Sequence, residues 1–374
     1  MTRRDRLLAT LRGEPVDRIA VNFYELGGVR PDPADPDPFN IYNDPSWLPL
    51  IDIVKNEIDI IRTVSPGVPV PNDSGIVLYE TSEEGPSRFV RTIVETKGRT
   101  LTSLTRRDRD VYTTWTIEAL LKDTDDLRAY LTLPDDLFQM KPNVEGLLAE
   151  EEQLGDKGLA MLDTGDPLCV AAQLFSMEDY LVIALTENDL FHALLQKAAA
   201  PLQDLTEQMA RECPGRLWRI VGPEYATEPY LRPKLFEEYV ARYTGPMVES
   251  VMRNGGIARL HCHGRIRSCL PIMADMGINA LDPIEPPPHG DITLAEVRRE
   301  YGKQMTLFGN LEVTDLENLP QDEFEVVVRR TVKEGTRGEG GGFVLMPTAA
   351  PYGRKLSDTT LANYRTMMRV VNEG

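Results

Sequence analysis

Along the C-terminal half of the chain, short apolar runs alternate with longer stretches whose apolar residues recur every three or four positions. Ile257–His261, Ile278–Asp282, Gln304–Phe308 and Gly342–Met346 read as strands. The stretches after them, Arg265–Met276, Thr293–Tyr301, Thr314–Glu334 and Asp358–Val371, read as helices. In the last, Leu361, Tyr364, Met368 and Val371 keep helical spacing, and Ser357 supplies a cap because its hydroxyl accepts from an orphan backbone N–H. The same beat runs backwards through strands at Arg216–Val221, Gly158–Leu162, Ile58–Arg62 and Arg18–Phe23. Helices are predicted at Pro45–Lys55, Met177–Leu185, Asp189–Arg211 and Pro233–Arg253. The last of these starts on Pro, ends at Asn254-Gly255-Gly256, and carries Gly245-Pro246, which predicts a kink. Strand–helix alternation means parallel strands joined by crossover helices, and about eight strands favour a closed (β/α)8 barrel over an open sheet.

One stretch breaks the beat. Arg88–Thr116 is rich in Val, Thr, Tyr and Arg, with turn signals at Gly85-Pro86 and Lys97-Gly98. It predicts an antiparallel hairpin or meander inserted at about residues 76–118 of a single barrel domain spanning 1–374. Gly28–Asn43, crowded with Pro and Asp, predicts a loop at the barrel mouth.

Composition narrows the setting. Hydrophobic residues make up 41% and charged residues 27%, an ordinary globular balance. The formal charge of −18 argues against nucleic acid or an anionic membrane as a partner. Four Cys in 374 residues do not make a disulfide scaffold. The basic N-terminus, Met1–Leu8, is followed by no apolar stretch of signal-peptide type. No run approaches the ~18 apolar residues of a membrane helix. The expectation is a soluble cytoplasmic protein.

In a (β/α)8 barrel the reactive groups stand at the C-terminal ends of the strands. Those ends carry Tyr24-Glu25, Asp163-Thr164-Gly165-Asp166, Gly222-Pro223-Glu224-Tyr225, His261-Cys262-His263-Gly264, Asp282-Pro283-Ile284-Glu285, Gly309-Asn310 and Pro347-Thr348. His261 and His263 are two of only four histidines. Alternation along a strand puts i and i+2 on one face, so both imidazoles face the lumen while Cys262 points to the helices. Two converging imidazoles make half of a zinc site; the alternative is that they bind substrate without metal. Glu285, on the next strand, is within reach of the same ion and is stiffened by Pro286-Pro287-Pro288, with a capping or ion-pair role as the alternative. Glu224 and Glu25 are lumenal carboxylates whose choices are ligand, acid/base or orienter of a ligand imidazole. His192 sits in a helical pattern and His289 in a loop, so both are expected to be structural or solvated. The run Gly338–Gly342 precedes a strand instead of following one, which is not the context of a phosphate-binding loop.

Several segments together resemble the uroporphyrinogen decarboxylase superfamily. They are Arg4–Ile19, the His261–Gly264 turn, Gly277–Glu285, Gly309-Asn310-Leu311 and the C-terminal strand–helix. The resemblance spans essentially the whole chain and implies a (β/α)8 barrel. True decarboxylases of the family carry several arginines after strand one, where this chain has Asn22–Arg30 with a single Arg. A polyanionic tetrapyrrole needs more cations than that. The other branch comprises zinc-dependent methyltransferases that work with corrinoid proteins. Those that methylate coenzyme M use a His-x-Cys pair, a Glu and a late Cys. This chain matches at His261 and Glu285 but has His263 for the first Cys, and Thr348 stands near the place of the late one.

Neutral imidazoles leave zinc more electrophilic than thiolates do, which suits polarising an oxygen. The resemblance to O-demethylase-type members therefore implies methyl transfer from a methoxy donor, such as an aromatic methyl ether, to the Co(I) corrinoid (cobalamin) of a separate partner protein. His261, His263 and Glu285 would hold zinc, and Glu224, Tyr225 or Glu25 would protonate the leaving oxygen. The alternatives are a metal-free decarboxylase or other lyase of a small acid on the same barrel, or a metal- or corrinoid-binding protein without turnover. The inserted hairpin could serve a homodimer or the partner.

Overall fold

The alternation does build a (β/α)8 barrel. A computed structural model describes residues 1–71, 74–338 and 340–373, so Glu339 of the glycine run lies outside the described residues. The parallel barrel strands are β1 (Ala20–Val21), β2 (Ile60–Val64), β3 (Gly158–Gly165), β4 (Leu217–Val221), β5 (Ile257–Cys262), β6 (Ala280–Pro283), β7 (Thr306–Leu311) and β8 (Phe343–Pro347). They pair in sequence order from β2 to β8, and β8 pairs with β1. Two contiguous clusters flank the strands. The lumenal one, Leu7, Ala20, Ile61, Leu159, Met161, Leu217, Ala280, Phe308, Val344 and Met346, fills the barrel floor. The larger one lies between strands and helices, as alternation requires.

The remaining seam, between β1 and β2, is closed mainly by one residue. Asp59 donates its backbone N–H to the Val21 carbonyl (2.8 Å) and accepts the Val21 N–H on Oδ2 (2.9 Å). Asn22 Nδ2 donates to the Asp59 carbonyl at 3.1 Å. The fully buried Asp59 carboxylate also binds Arg6 Nη1 (2.6 Å) and Arg18 Nη1 (2.8 Å). Arg6 belongs to a helix, Arg3–Leu11, that the sequence pattern had not revealed; its Leu7 plugs the floor of the barrel.

Some elements differ from expectation. β1 is two residues long instead of the run Arg18–Phe23. The helix expected over Thr314–Glu334 is two helices, Val313–Asn318 and Gln321–Thr336. Pro320 separates them, since it cannot donate within a helix and drives Leu319 to an extended backbone (ψ 143°). Pro233–Arg253 contains a π-helical turn, Glu237–Ala241, one turn before Pro246. The insertion is a four-stranded antiparallel meander: Val77–Glu84, Ser87–Thr96, Arg99–Asp108 and Thr114–Glu118. Val94 and Leu101, cross-strand partners on one face, are buried against the body. No helix is long and apolar enough to cross a membrane among the described residues.

Candidate active site

Strand alternation places the central residues. On β5, Arg259 and His261 face the lumen, while Leu260 and Cys262 are buried against the helices. The β5–β6 register sets His261 opposite Asp282. Asp282 accepts from Arg259 Nε and Nη2, both at 2.6 Å, and from His261 Nδ1 at 2.7 Å. Burial pushes the Asp282 carboxyl up, but the charges of Arg259 and His261 outweigh it and hold it far below the usual range. Arg259 is itself walled in, with Met161 and Met346 sulfurs at 3.6 Å and the Phe308 ring centroid 4.1 Å from its Cζ.

His263 repeats the arrangement one step outward. Its Nδ1 lies 2.7 Å from Glu285 Oε1, and the other Glu285 oxygen accepts the Gly264 N–H at 2.7 Å. Burial works to lower the His263 pKa, and Glu285 more than offsets it, so the net shift is upward. The two imidazole rings stand edge to face, 4.6 Å between centroids. Each therefore has its Nδ1 held by a carboxylate, which leaves each Nε2 clear of the carboxylates; that of His261 meets the Tyr24 hydroxyl at 3.2 Å. This is the way ligand histidines are oriented at metal centres. Glu285 and Asp282 occupy the orienting positions here.

Glu224 stands on a tight turn, Pro223–Ala226, directly after β4. The turn begins at Gly222, whose φ of 116° and close approach to Cys169 leave no room for a Cβ. Glu224 Oε2 is buried without a hydrogen-bond partner, the kind of orphan that calls for an explanation. Its negative charge also acts on His263. Glu25 opens a short helical turn, Glu25–Gly28, at the mouth. Its side chain is exposed and lines the cleft, where loss of solvation raises its carboxyl pKa against the charges of Arg219, His261 and His263. Tyr225 is turned toward the core instead: its ring packs edge-on against Tyr180 (5.8 Å), and burial raises its phenol. His192 lies outside this cluster, 2.8 Å from both Tyr243 Oη and Glu238 Oε1.

A cleft opens against Tyr24 and Arg259, the residues bonded to His261 and to its partner Asp282. Met161, Met346 and Ile61 give it an apolar floor, and Tyr24, Glu25, Asp163 and Arg219 line its side. Arg219 is held by Asp163 through two bonds, 2.7 and 2.8 Å. Both lining arginines are thus neutralised in paired bonds to aspartates, so the cleft has no free cation among the described residues that line it. Tyr112, from the inserted meander, completes the wall.

Sequence reasoning listed Tyr24, Asp163 and Asp282 at strand ends without giving them roles, and it missed Arg219 and Arg259. An arginine in mid-strand with lumenal parity, as at Arg259, demands a buried acid on a neighbouring strand, and that was the available signal. Glu312, buried after β7 with Oε1 unpartnered, was also missed. No group of three or more His, Cys, Asp or Glu side chains stands in metal-ligand geometry among the described residues. The chemistry of the donor set nevertheless suits zinc: two oriented imidazoles and, close enough for its charge to act on His263, Glu224 with an unpartnered buried oxygen.

The sequence profile of the uroporphyrinogen decarboxylase (URO-D) family matches residues 120–374. The structure is similar to that of a methyltransferase from Methanosarcina mazei, with a TM-score of 0.61 and 18% identity, over 100% of this chain and 99% of that one. A Bacillus subtilis mannanase, BCman, overlaps more loosely, with a TM-score of 0.36 and 9% identity over 62% of this chain and 71% of its own. D-psicose 3-epimerase from Clostridium cellulolyticum H10 gives 0.32 and 10%, over 62% and 93%. No curated protein gives a significant sequence match.

Proposed function

The chain belongs to the uroporphyrinogen decarboxylase family, and from that premise we propose that it is a zinc-dependent methyltransferase. It takes the methyl group of a small methoxy donor and passes it to the Co(I) corrinoid of a separate partner protein. The observation that carries this reading is the pair His261 and His263, each with Nδ1 clamped by a carboxylate, which leaves Nε2 as the nitrogen for a ligand. The structurally similar protein of Methanosarcina mazei is described as a methyltransferase, which agrees with it.

His261 and His263 would hold the metal, and Glu224 would add an oxygen. A zinc ion in that position supplies Lewis acidity toward the donor's ether oxygen. The chain's own residues do the rest. Asp282 and Glu285 fix the imidazole tautomers. Met161, Met346 and Ile61 receive the apolar body of the donor and exclude water from it. The raised carboxyl of Glu25 retains a proton to higher pH than a free glutamate and is placed at the mouth to deliver it to the leaving oxygen. The lyase reading needs a cation for a substrate carboxylate, and Arg219 and Arg259 are both already spent on aspartates.

The test is direct. Zinc-loaded protein, a panel of methoxy compounds and free cob(I)alamin should yield methylcobalamin, followed by its absorption spectrum. His261→Ala should lose both zinc and activity while staying folded. Full activity in a metal-free His261→Ala protein would falsify the mechanism.

A further inference from the structure

His261 Nε2 has one lone pair to give. Asp282 is held on both oxygens by Arg259 and has no proton to donate, so the hydrogen of the neutral ring sits on Nδ1. Nε2 is then an acceptor, and Tyr24 Oη donates to it at 3.2 Å. That is the only hydrogen bond this hydroxyl makes among the described residues. The Tyr24 ring stacks on His261 with centroids 5.7 Å apart, and the Arg219 guanidinium lies over the same ring, its Cζ 5.5 Å from the centroid. The backbone at Tyr24 has φ 51° and ψ −125°, a conformation unfavourable for a residue with a Cβ. Such strain persists where the surrounding structure imposes it, often at functional sites. Tyr24 also lines the cleft.

We propose that Tyr24 is a gate on the metal position: its hydroxyl and a metal ion compete for the same lone pair of His261. The ion binds only as the phenol turns away, and the cleft that Tyr24 lines is the space into which it turns. Tyr24 thereby weakens metal binding in the wild-type protein. It is a positioning residue acting on His261, and the inference rests on the zinc reading above.

Tyr24→Phe keeps the ring, its stacking and the backbone, and removes only the competitor. Zinc affinity would be measured near neutral pH by competition with a chromogenic chelator, for wild type, Tyr24→Phe and His261→Ala. The absorption bands of the Co(II)-substituted proteins would report the coordination itself, and thermal melting would report folding. One displaced hydrogen bond corresponds to Tyr24→Phe binding zinc about tenfold tighter than wild type. His261→Ala should lose the site. Equal affinity in wild type and Tyr24→Phe, with loss in His261→Ala, would overturn the gate and leave the zinc reading standing. Weaker binding by Tyr24→Phe would also overturn it, since the hydroxyl would then be a helper. Zinc uptake by none of the three would overturn both.

Discussion

Asp166 shows how one buried carboxyl ties stability to pH. It caps the helix Pro167–Ala172 by accepting the Cys169 N–H at 2.6 Å, and Thr244 Oγ1 donates to it at 3.2 Å. Complete burial, helped by the nearby charge of Glu224, raises its pKa from 3.8 to about 7. The folded protein thus keeps this proton up to about pH 7, whereas the unfolded chain releases it near 3.8. The favourable contribution is full below the unfolded value and is lost as pH rises toward 7. Asp166→Asn keeps a capping oxygen and never ionises. It should stabilise the protein at pH 8 by about 1–3 kcal/mol relative to wild type, a gain that shrinks toward pH 4. Denaturant unfolding across that range checks it; a gain independent of pH would contradict the assignment. At this scale the sequence was informative where parity sufficed. Alternation placed His261, and the strand end that follows it carries His263. Glu285 was legible as the carboxylate of the neighbouring strand end, but its bond to His263 Nδ1 was not, and neither were the roles of Asp282 and Tyr24, because these depend on register between strands and on the path of the chain after each strand end.

The seam between β1 and β2 is the point where the barrel depends on a single side chain. A two-residue β1 cannot supply a ladder on both edges. Asp59 replaces the missing ladder bonds and neutralises Arg6 and Arg18 at once. Asp59→Ala would leave Arg18 without its acid and Arg6 with Asp17 alone, which binds its Nε and Nη2 at 2.7 and 2.9 Å. Breaking a buried charge pair in this way costs about 3–5 kcal/mol, measurable by denaturant unfolding. A loss below about 1 kcal/mol, the worth of an exposed ion pair, would show that the seam closes without it. The Arg3–Leu11 helix escaped the sequence reading for a related reason. Only Arg6, Leu7, Ala9 and Thr10 are buried in it, and one of its two main anchors is an arginine, so apolar periodicity hardly marks it. β5 to β8 were legible because strands covered on both faces read as continuous apolar runs. The Thr314–Glu334 pattern ran on through Pro320 because apolar spacing persisted on both sides of it.

The insertion is joined to the rest of the molecule at the barrel mouth, through a contact between segments some 245 residues apart. Tyr112 N–H donates to the Tyr352 carbonyl and Arg354 N–H to the Asp110 carbonyl, both at 2.7 Å. The Arg354 side chain then reaches the insertion and the loop that runs up to Asn43. Nε donates to the Arg109 carbonyl (2.7 Å), Nη1 to Asn43 Oδ1 (2.8 Å), and Nη2 to the Pro38 carbonyl. The meander was readable from its β-rich composition and turns, but nothing local in the chain revealed where it docks. Docking is what brings Tyr112 to the cleft wall. Arg354→Ala removes all three side-chain bonds while their acceptors, near the surface, regain water. The global cost should be modest, about 1–3 kcal/mol. The local effect should be larger. Amide hydrogen exchange at Tyr112 and Arg354 should accelerate at least about tenfold, while the amides of β5 and β6 stay protected, because local opening needs far less free energy than global unfolding. If the proposed methyl transfer holds and the Tyr112 wall contributes to holding its donor, the same variant should raise KM more than it lowers kcat, since His261 and His263 are untouched. Unchanged exchange at Tyr112 would mean that Arg107, which packs on its ring 4.8 Å from the centroid, suffices to hold the wall.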